Sequence, residues 1–305
     1  MTMKEILADI KSNRVKKVIL DTDTANEIDD QYAMGFCYMS EKMELLSVNA
    51  APFTNEKTDD YAHGADMSYD EARKTLALID PDYSIPVYRG SRETIEHSGK
   101  PYIESEAADN IIKTVRESDE IIYVLAIATL TNVASAIVKA PDIKDNMCVI
   151  WAGGNWLEGD NLGEFNLVQD YTAGQLVLNS GVPFVMCPAW CVVSELNQRF
   201  EYFEKELTGV NPLCDYLLEI TTRCYELAGK PHWWTRTIWD IAVPAILHCP
   251  ECADLEIIKA PIFTDARVYA FDSTRHEIIY LSKIDKDITY ENAMRELKRT
   301  APYAR

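Results

Sequence analysis

Positive charge is what this sequence is shortest of. Lys and Arg number 30 against 49 Asp and Glu, a formal net charge of −19, and the isoelectric point is about 4.7. Nucleic acids and anionic membranes are held by clustered Lys and Arg, so neither is expected as a partner. Long apolar runs are missing too, and nothing approaches the ~20 residues of a membrane-spanning helix. The opening stretch MTMKEILADIKSNRVKK is polar and amphipathic, without the apolar h-region of a secretory signal. A cytoplasmic location is therefore expected. The eight cysteines are scattered through apolar segments, as reduced thiols are. Cys249-Pro-Glu-Cys252 has CxxC spacing, but no second pair or His stands at finger distance, so a zinc site is not expected. No internal repeat, low-complexity segment or linker stands out. A single domain of 305 residues, able to bury its core without disulfides, is expected.

What the sequence does contain is an alternation of strand and helix. Val15 to Leu20 is a β-branched run that ends at Asp21. The helix Ile28–Met39 and the strand Met43–Ala50 follow, then helices over Tyr69–Ile79 and Ala107–Glu117. Glu120–Ala128 is apolar without alternation, as a strand covered on both faces should be. A helix over Thr131–Ala140, a strand over Met147–Ala152, a helix over Asp170–Ser180 and a strand over Val182–Cys187 continue the pattern. Such alternation predicts an α/β fold, a mostly parallel central sheet with helices on both faces. Ligands in such sheets sit at the carboxyl ends of the strands. Further on, Phe203–Ala228 and Thr237–Leu247 read as helices. Asp254–Ile257, Val268–Phe271 and Glu277–Leu281 read as a small hairpin region, with a final helix over Ile288–Arg299.

Directly after the first strand lies Asp21-Thr-Asp23-Thr-Ala-Asn-Glu27-Ile-Asp29-Asp30. Four aspartates and a glutamate this close repel one another unless a cation neutralises them. The donors are all oxygen, which selects calcium or magnesium over zinc. Asp21-Thr22-Asp23-Thr24 also fits the first motif of haloacid-dehalogenase-type magnesium phosphatases, with Asp21 as nucleophile and Asp23 as acid/base. That reading needs a downstream Lys and a late acidic pair. Asp160 and Asp170 are available for the pair, but Asp29-Asp30 would have no role.

Several separated segments instead resemble the nucleoside hydrolase family. Asp21 to Asp30 resembles its N-terminal Asp motif, in a branch carrying Asn26-Glu-Ile-Asp-Asp30. Ala128-Thr-Leu-Thr-Asn-Val-Ala134 resembles its Leu-Thr-Asn loop, and Ala152-Gly-Gly154 its turn after a strand. Glu164-Phe-Asn166, Asp170 and Leu178-Asn-Ser-Gly-Val-Pro183 resemble its following helix–strand unit, and Asp240 in Trp239-Asp-Ile-Ala-Val243 its late metal Asp. Ala50-Ala-Pro-Phe-Thr-Asn55 and Gly64-Ala-Asp-Met-Ser-Tyr69 resemble the same branch. The matches run in order from about residue 15 to 245.

The resemblance implies calcium-dependent hydrolysis of the N-glycosidic bond of a ribonucleoside, purine-leaning, by a homodimer or homotetramer. A non-catalytic nucleoside or ribose binder is the further alternative. The resemblance implies Asp23 as general base on water and Asp21, Asp30, Asp240 and the Ile127 carbonyl as calcium ligands. Asp29, Glu164 and Asn166 would meet the ribose hydroxyls, and Asn55 the sugar or base. Many relatives place His before the late Asp, to protonate the leaving base. Here Trp239 stands there. Indole stacks on a purine but does not protonate one, so Trp239, with Trp233, Trp234 and His232 just upstream, is expected at the base. His63 and Tyr69 are weaker candidates, and His97, His248 and His276 have no supporting context. The Asp motif also departs from the common form, with five residues, Thr24 to Ile28, before Asp29 and no Pro-Gly.

Overall fold

The computed structural model describes residues 1–82, 84–159 and 161–300. Their strands, in chain order, are β1 (Lys16–Thr22), β2 (Met43–Ala50), β3 (Val87–Tyr88), β4 (Ile122–Ala126), β5 (Met147–Ala152) and β6 (Phe184–Cys187). Then come β7 (Asn197–Arg199), β8 (Thr235–Thr237), β9 (Ala253–Lys259), β10 (Ile262–Phe263), β11 (Tyr269–Ala270) and β12 (Glu277–Ile284). Eight of them form one sheet in the order β3-β2-β1-β4-β5-β6-β12-β9. Neighbours run parallel from β3 to β12, and β9 closes the edge antiparallel to β12.

The central strands are apolar on both faces because both faces are covered. Val18, Leu20, Tyr123, Leu125, Cys148 and Ile150 face one core, against Tyr32, Phe36, Phe203 and Tyr290. Ile19, Ile122, Val124, Val149 and Trp151 face the other, against Ile111, Val133 and Val177. Alternation survives as a choice between two buried layers rather than between core and water.

Four expectations are corrected. Phe203–Ala228 is two helices, Phe200–Leu207 and Pro212–Leu227. Gly209, at φ +66°, makes the break, and Asn211 caps the second helix ahead of Pro212. Thr237–Leu247 opens as the end of β8 and a 3-10 turn, Trp239–Ile241, before the helix Ala242–His248. Of the last strands only β10 and β11 form a separate antiparallel hairpin, because β9 and β12 extend the main sheet beside β6. The helix expected from Tyr69 starts at Tyr61, with Asp60 accepting from the N–H of His63. The CxxC closes a 3-10 turn inside the core, with Cys249 and Cys252 both buried.

Candidate active site

The chain leaves β1 toward β2 on one side and later returns to β4 on the other. Order reverses there, and the two outgoing connections leave a crevice at the strands' carboxyl ends. The Asp motif fills it. The Ile127 N–H donates to the Asp21 carbonyl at 2.8 Å, and the Ala51 N–H to the Thr22 carbonyl at 2.8 Å. The loop is thus pinned to the ends of β4 and β2. Ala25 holds φ +112°, a strained value for a residue with a Cβ. The Asn26 N–H, donating to the Asp23 carbonyl at 2.9 Å, closes that turn.

Asp29 and Asp30 start the helix Asp29–Met39, and Asp240 sits in the 3-10 turn that faces it. Asp29, Asp30 and Asp240 are buried, and each offers an oxygen within 4.8 Å of the others. The Thr22 hydroxyl donates to Asp30 at 2.5 Å, and the Trp239 N–H to Asp29 at 3.2 Å. Asp23 joins them in one cavity of about 440 Å³, accepting from the Asn26 amide at 3.1 Å. Burial first, then mutual repulsion, holds Asp23, Asp30 and Asp240 above the usual carboxylate range. These groups ionise together only with a cation among them. The donor set is oxygen alone, three carboxylates, with Ile127 on the same cavity wall. That set fits a hard divalent cation.

The expected residues divide into two groups. Asp21 stands behind the cluster, fully buried, accepting from the Asn132 amide at 3.0 Å. It is neither one of the three converging carboxylates nor part of the cavity lining, and one of its oxygens is held by Asn132. Ile127, Glu164, Asn166, Asn55 and Trp239 line the cavity with Asp23. Glu164 caps the helix Phe165–Gln169 and accepts from the N–H groups of Asn166 (2.7 Å), Gly154 (2.8 Å) and Leu167 (3.0 Å). Burial raises its pKa to about 7 against the pull of those donors. Gly154 reaches it with φ +72°, which explains the Gly-Gly turn after β5. The Asn166 amide donates to the carbonyls of Ala152 at 2.9 Å and Ile127 at 3.3 Å. Asn55 donates to Asn26 at 2.8 Å.

Trp233, Trp234 and His232 do not reach the cavity. Trp233 is 68% exposed, Trp234 packs against Tyr225 and Phe200, and His232 is exposed. They fall in the turn before β8, which points them away from the Asp motif. His63 pairs with Asp59 on the surface, and Tyr69 carries the Arg89 guanidinium.

Other residues join the wall, Asn26, Glu27 and Phe165 from the motifs themselves and Trp190, Glu56 and Lys57 unmarked by any motif. Trp190 meets Trp239 edge to face, with ring centroids 5.4 Å apart. Trp190 follows the carboxyl end of β6 in Cys187-Pro-Ala-Trp, and the strand-end rule would have marked it. Arg236 pairs with Glu27, joining the segment that supplies Asp240 to the loop that supplies Asp29 and Asp30. Asp170, wanted by the phosphatase reading, is engaged elsewhere. It accepts from Thr131, Ile95, Glu96 and Ala173. Asp160 lies outside the described residues.

Residues 18–278 match the profile of the inosine-uridine preferring nucleoside hydrolases. The chain belongs to this family. The match overturns the phosphatase alternative. The chain is 31% identical over 202 residues to an uncharacterized protein of Schizosaccharomyces pombe, covering 56% of this chain and 60% of that protein. It is 28% identical over 164 residues to the pyrimidine-specific ribonucleoside hydrolase RihA of Escherichia coli, covering 52% of this chain and 49% of RihA. The matched segments thus span about half to three-fifths of those relatives. In three dimensions the chain is similar to the plant nucleoside hydrolase PpNRh1, with a TM-score of 0.76 at 17% identity over 93% of this chain and 99% of that one. It is also similar to the purine-preferring ribonucleoside hydrolase from Gardnerella vaginalis, with a TM-score of 0.72 at 19% identity over 93% and 98%. At these identities the likeness is one of fold.

Proposed function

We propose that this protein hydrolyses the N-glycosidic bond of ribonucleosides to ribose and free base, with one calcium ion in the site. The observation that carries the reading is the meeting of Asp29, Asp30 and Asp240 in one buried cluster, with Asp23 in the same cavity at the switch point of the sheet. Asp29, Asp30, Asp240 and the Ile127 carbonyl would hold the ion. When bound, calcium supplies the charge that orders water and ribose hydroxyls and lowers the water's pKa.

The remaining steps belong to the chain's own residues. Asp23 takes the proton of the attacking water. The water oxygen bonds to the anomeric carbon as the electron pair of the C–N bond leaves with the base. The carboxylates around the ribose offset the positive charge that builds on the sugar. Asn166, Glu164 and Asn55 contact the sugar. Asp21 acts from behind, by fixing the loop through Asn132. Trp239 and Trp190 form an aromatic wall for the base, which favours the larger face of a purine. One domain working as a cytoplasmic homodimer or homotetramer, without nucleic acid or membrane partners, completes the reading. Among the described residues no helix is long and apolar enough to cross a membrane.

The test is incubation with inosine, adenosine, guanosine and uridine, with and without a calcium chelator, followed by chromatography of free base. Base release that chelation abolishes is expected. Tight nucleoside binding without base release would favour a non-catalytic binder instead.

A further inference from the structure

The Cys249-Pro-Glu-Cys252 turn takes no part in the cavity, yet it brings two thiols together. The Cys252 N–H donates to the Cys249 carbonyl at 2.8 Å, so the two residues bracket one tight turn. Residues placed in this way have Cα atoms less than about 7 Å apart. A disulfide spans about 4.4–6.8 Å between Cα atoms, so this turn can close one with little backbone movement. Both side chains are buried in the same core cluster, at 1% and 2% exposure. The Cys249 thiol donates to the Cys252 sulfur, and both are free thiols in this structure. The turn's other two residues reach outward, Pro250 half-buried and Glu251 exposed. Opening of this one turn therefore uncovers the pair.

The pair also differs in character from the other buried thiols. Burial pushes Cys37, Cys148 and Cys187 above the usual thiol range, and thiols of that kind are inert. Cys252 lies below that range. The hydrogen bond from Cys249 lowers it, burial opposes, and Thr289 adds to the lowering. From the shared turn, the contact between the sulfurs and the outward-facing residues above them, we propose that Cys249 and Cys252 form a reversible disulfide when the protein meets a peroxide. The Cys252 sulfur takes one oxygen of hydrogen peroxide as the O–O bond breaks. A sulfenic acid results, and the thiol's own proton leaves with the other oxygen as water. The Cys249 sulfur then bonds to the Cys252 sulfur. The S–O bond breaks, and the departing hydroxide takes the Cys249 proton. Two thiols and one peroxide thus yield one disulfide and two waters. A dithiol reductant reverses the bond by exchange. This chemistry is independent of the hydrolase reading, and neither fails with the other.

Peptide mapping of the intact protein tests this. Hydrogen peroxide is raised until the exposed Cys191 is oxidised, free thiols are capped with iodoacetamide, and trypsin is added. The tryptic peptide 237–259 holds Cys249, Cys252 and no other cysteine. It is expected uncapped and lighter by two hydrogens, about 2 Da, and after dithiothreitol it should accept two caps. Oxidised Cys191 beside a doubly capped 237–259 peptide overturns the proposal, as does a disulfide that appears only in urea. Dimedone trapping of the sulfenic acid in the single variants reads which sulfur starts. The adduct on Cys252 in Cys249→Ser is expected to exceed that on Cys249 in Cys252→Ser by about tenfold or more. Equal adducts, or a preference for Cys249, overturn the assigned order.

Discussion

The backbone N–H of Trp239 donates to the Asp29 carboxylate at 3.2 Å. The residue that faces the base is thereby tied to a member of the carboxylate cluster, through main chain rather than through its ring. The two halves of the site are therefore separable by mutation. Removing the indole leaves the bond to Asp29 in place.

Trp239→Ala is therefore expected to weaken purine turnover by about 3- to 10-fold, the worth of an aromatic contact, while calcium affinity changes little. Steady-state kinetics with inosine and uridine, beside a calcium titration, check this. Unchanged purine turnover would remove stacking from the account.

Asp23→Asn keeps the size and the contact with Asn26 but removes the proton acceptor. A loss of about 10²- to 10⁴-fold in kcat is expected for a missing general base, with the melting temperature held or raised, since one repelling charge is gone. Wild-type turnover in this variant would mean that another group takes the proton.

Buried carboxylates that repel one another make calcium a stabilising ligand. At about 100 times its dissociation constant, a ligand of the folded state adds roughly 2.7 kcal/mol. For a chain of this size that is a rise of about 5–10 °C in melting temperature. Scanning calorimetry across a calcium series reads it, and Asp240→Asn should shrink the rise. A flat series would argue against the site.

A second pH-sensitive centre lies away from the cavity. His248 is buried, with Nδ1 on Ser40 at 2.7 Å and Nε2 facing Arg295 at 3.1 Å. Burial, then Arg295 and Lys42, push its pKa from 6.5 to about 4. The folded state binds this proton less readily than the unfolded chain does. The histidine's contribution is thus complete above about pH 6.5 and is lost as pH falls toward 4, by up to about 3 kcal/mol. Glu296, 3.7 Å away and held above the usual carboxylate range by burial, works in the opposite direction and offsets part of that loss. Urea denaturation at pH 7.5 and pH 5 should show the decline, and His248→Gln should flatten it. A wild-type midpoint that does not fall between those pH values would contradict this role.

The sheet was legible because β1, β4, β5 and β6 are buried on both faces and β1, β2, β4 and β5 each lead into a helix. Reading Asp21 to Asp30 as one site was possible because the loop follows a strand end. The far contributors were harder to see. Trp190 reaches the cavity, and Arg236 reaches Glu27 on its wall, only through the packing of chain that leaves β6 and enters β8, and that packing has no local periodicity. Trp233 and Trp234 show the converse: close to Asp240 in sequence, they do not line the cavity, Trp233 lying exposed and Trp234 packing against Tyr225 and Phe200. The resemblance implies Asp21 as a ligand. Its orientation toward Asn132 depends on a residue more than a hundred positions away, which no spacing rule contains.

The central claim is that the carboxylate cavity cleaves an N-glycosidic bond with a divalent cation in place. Its most direct test is the simultaneous measurement of free base and reducing sugar released from inosine and from uridine, before and after chelation and again after calcium is restored. The account predicts equal amounts of base and ribose, abolished by chelation and recovered with calcium. Absence of both products from both nucleosides, or release indifferent to chelation, would contradict it.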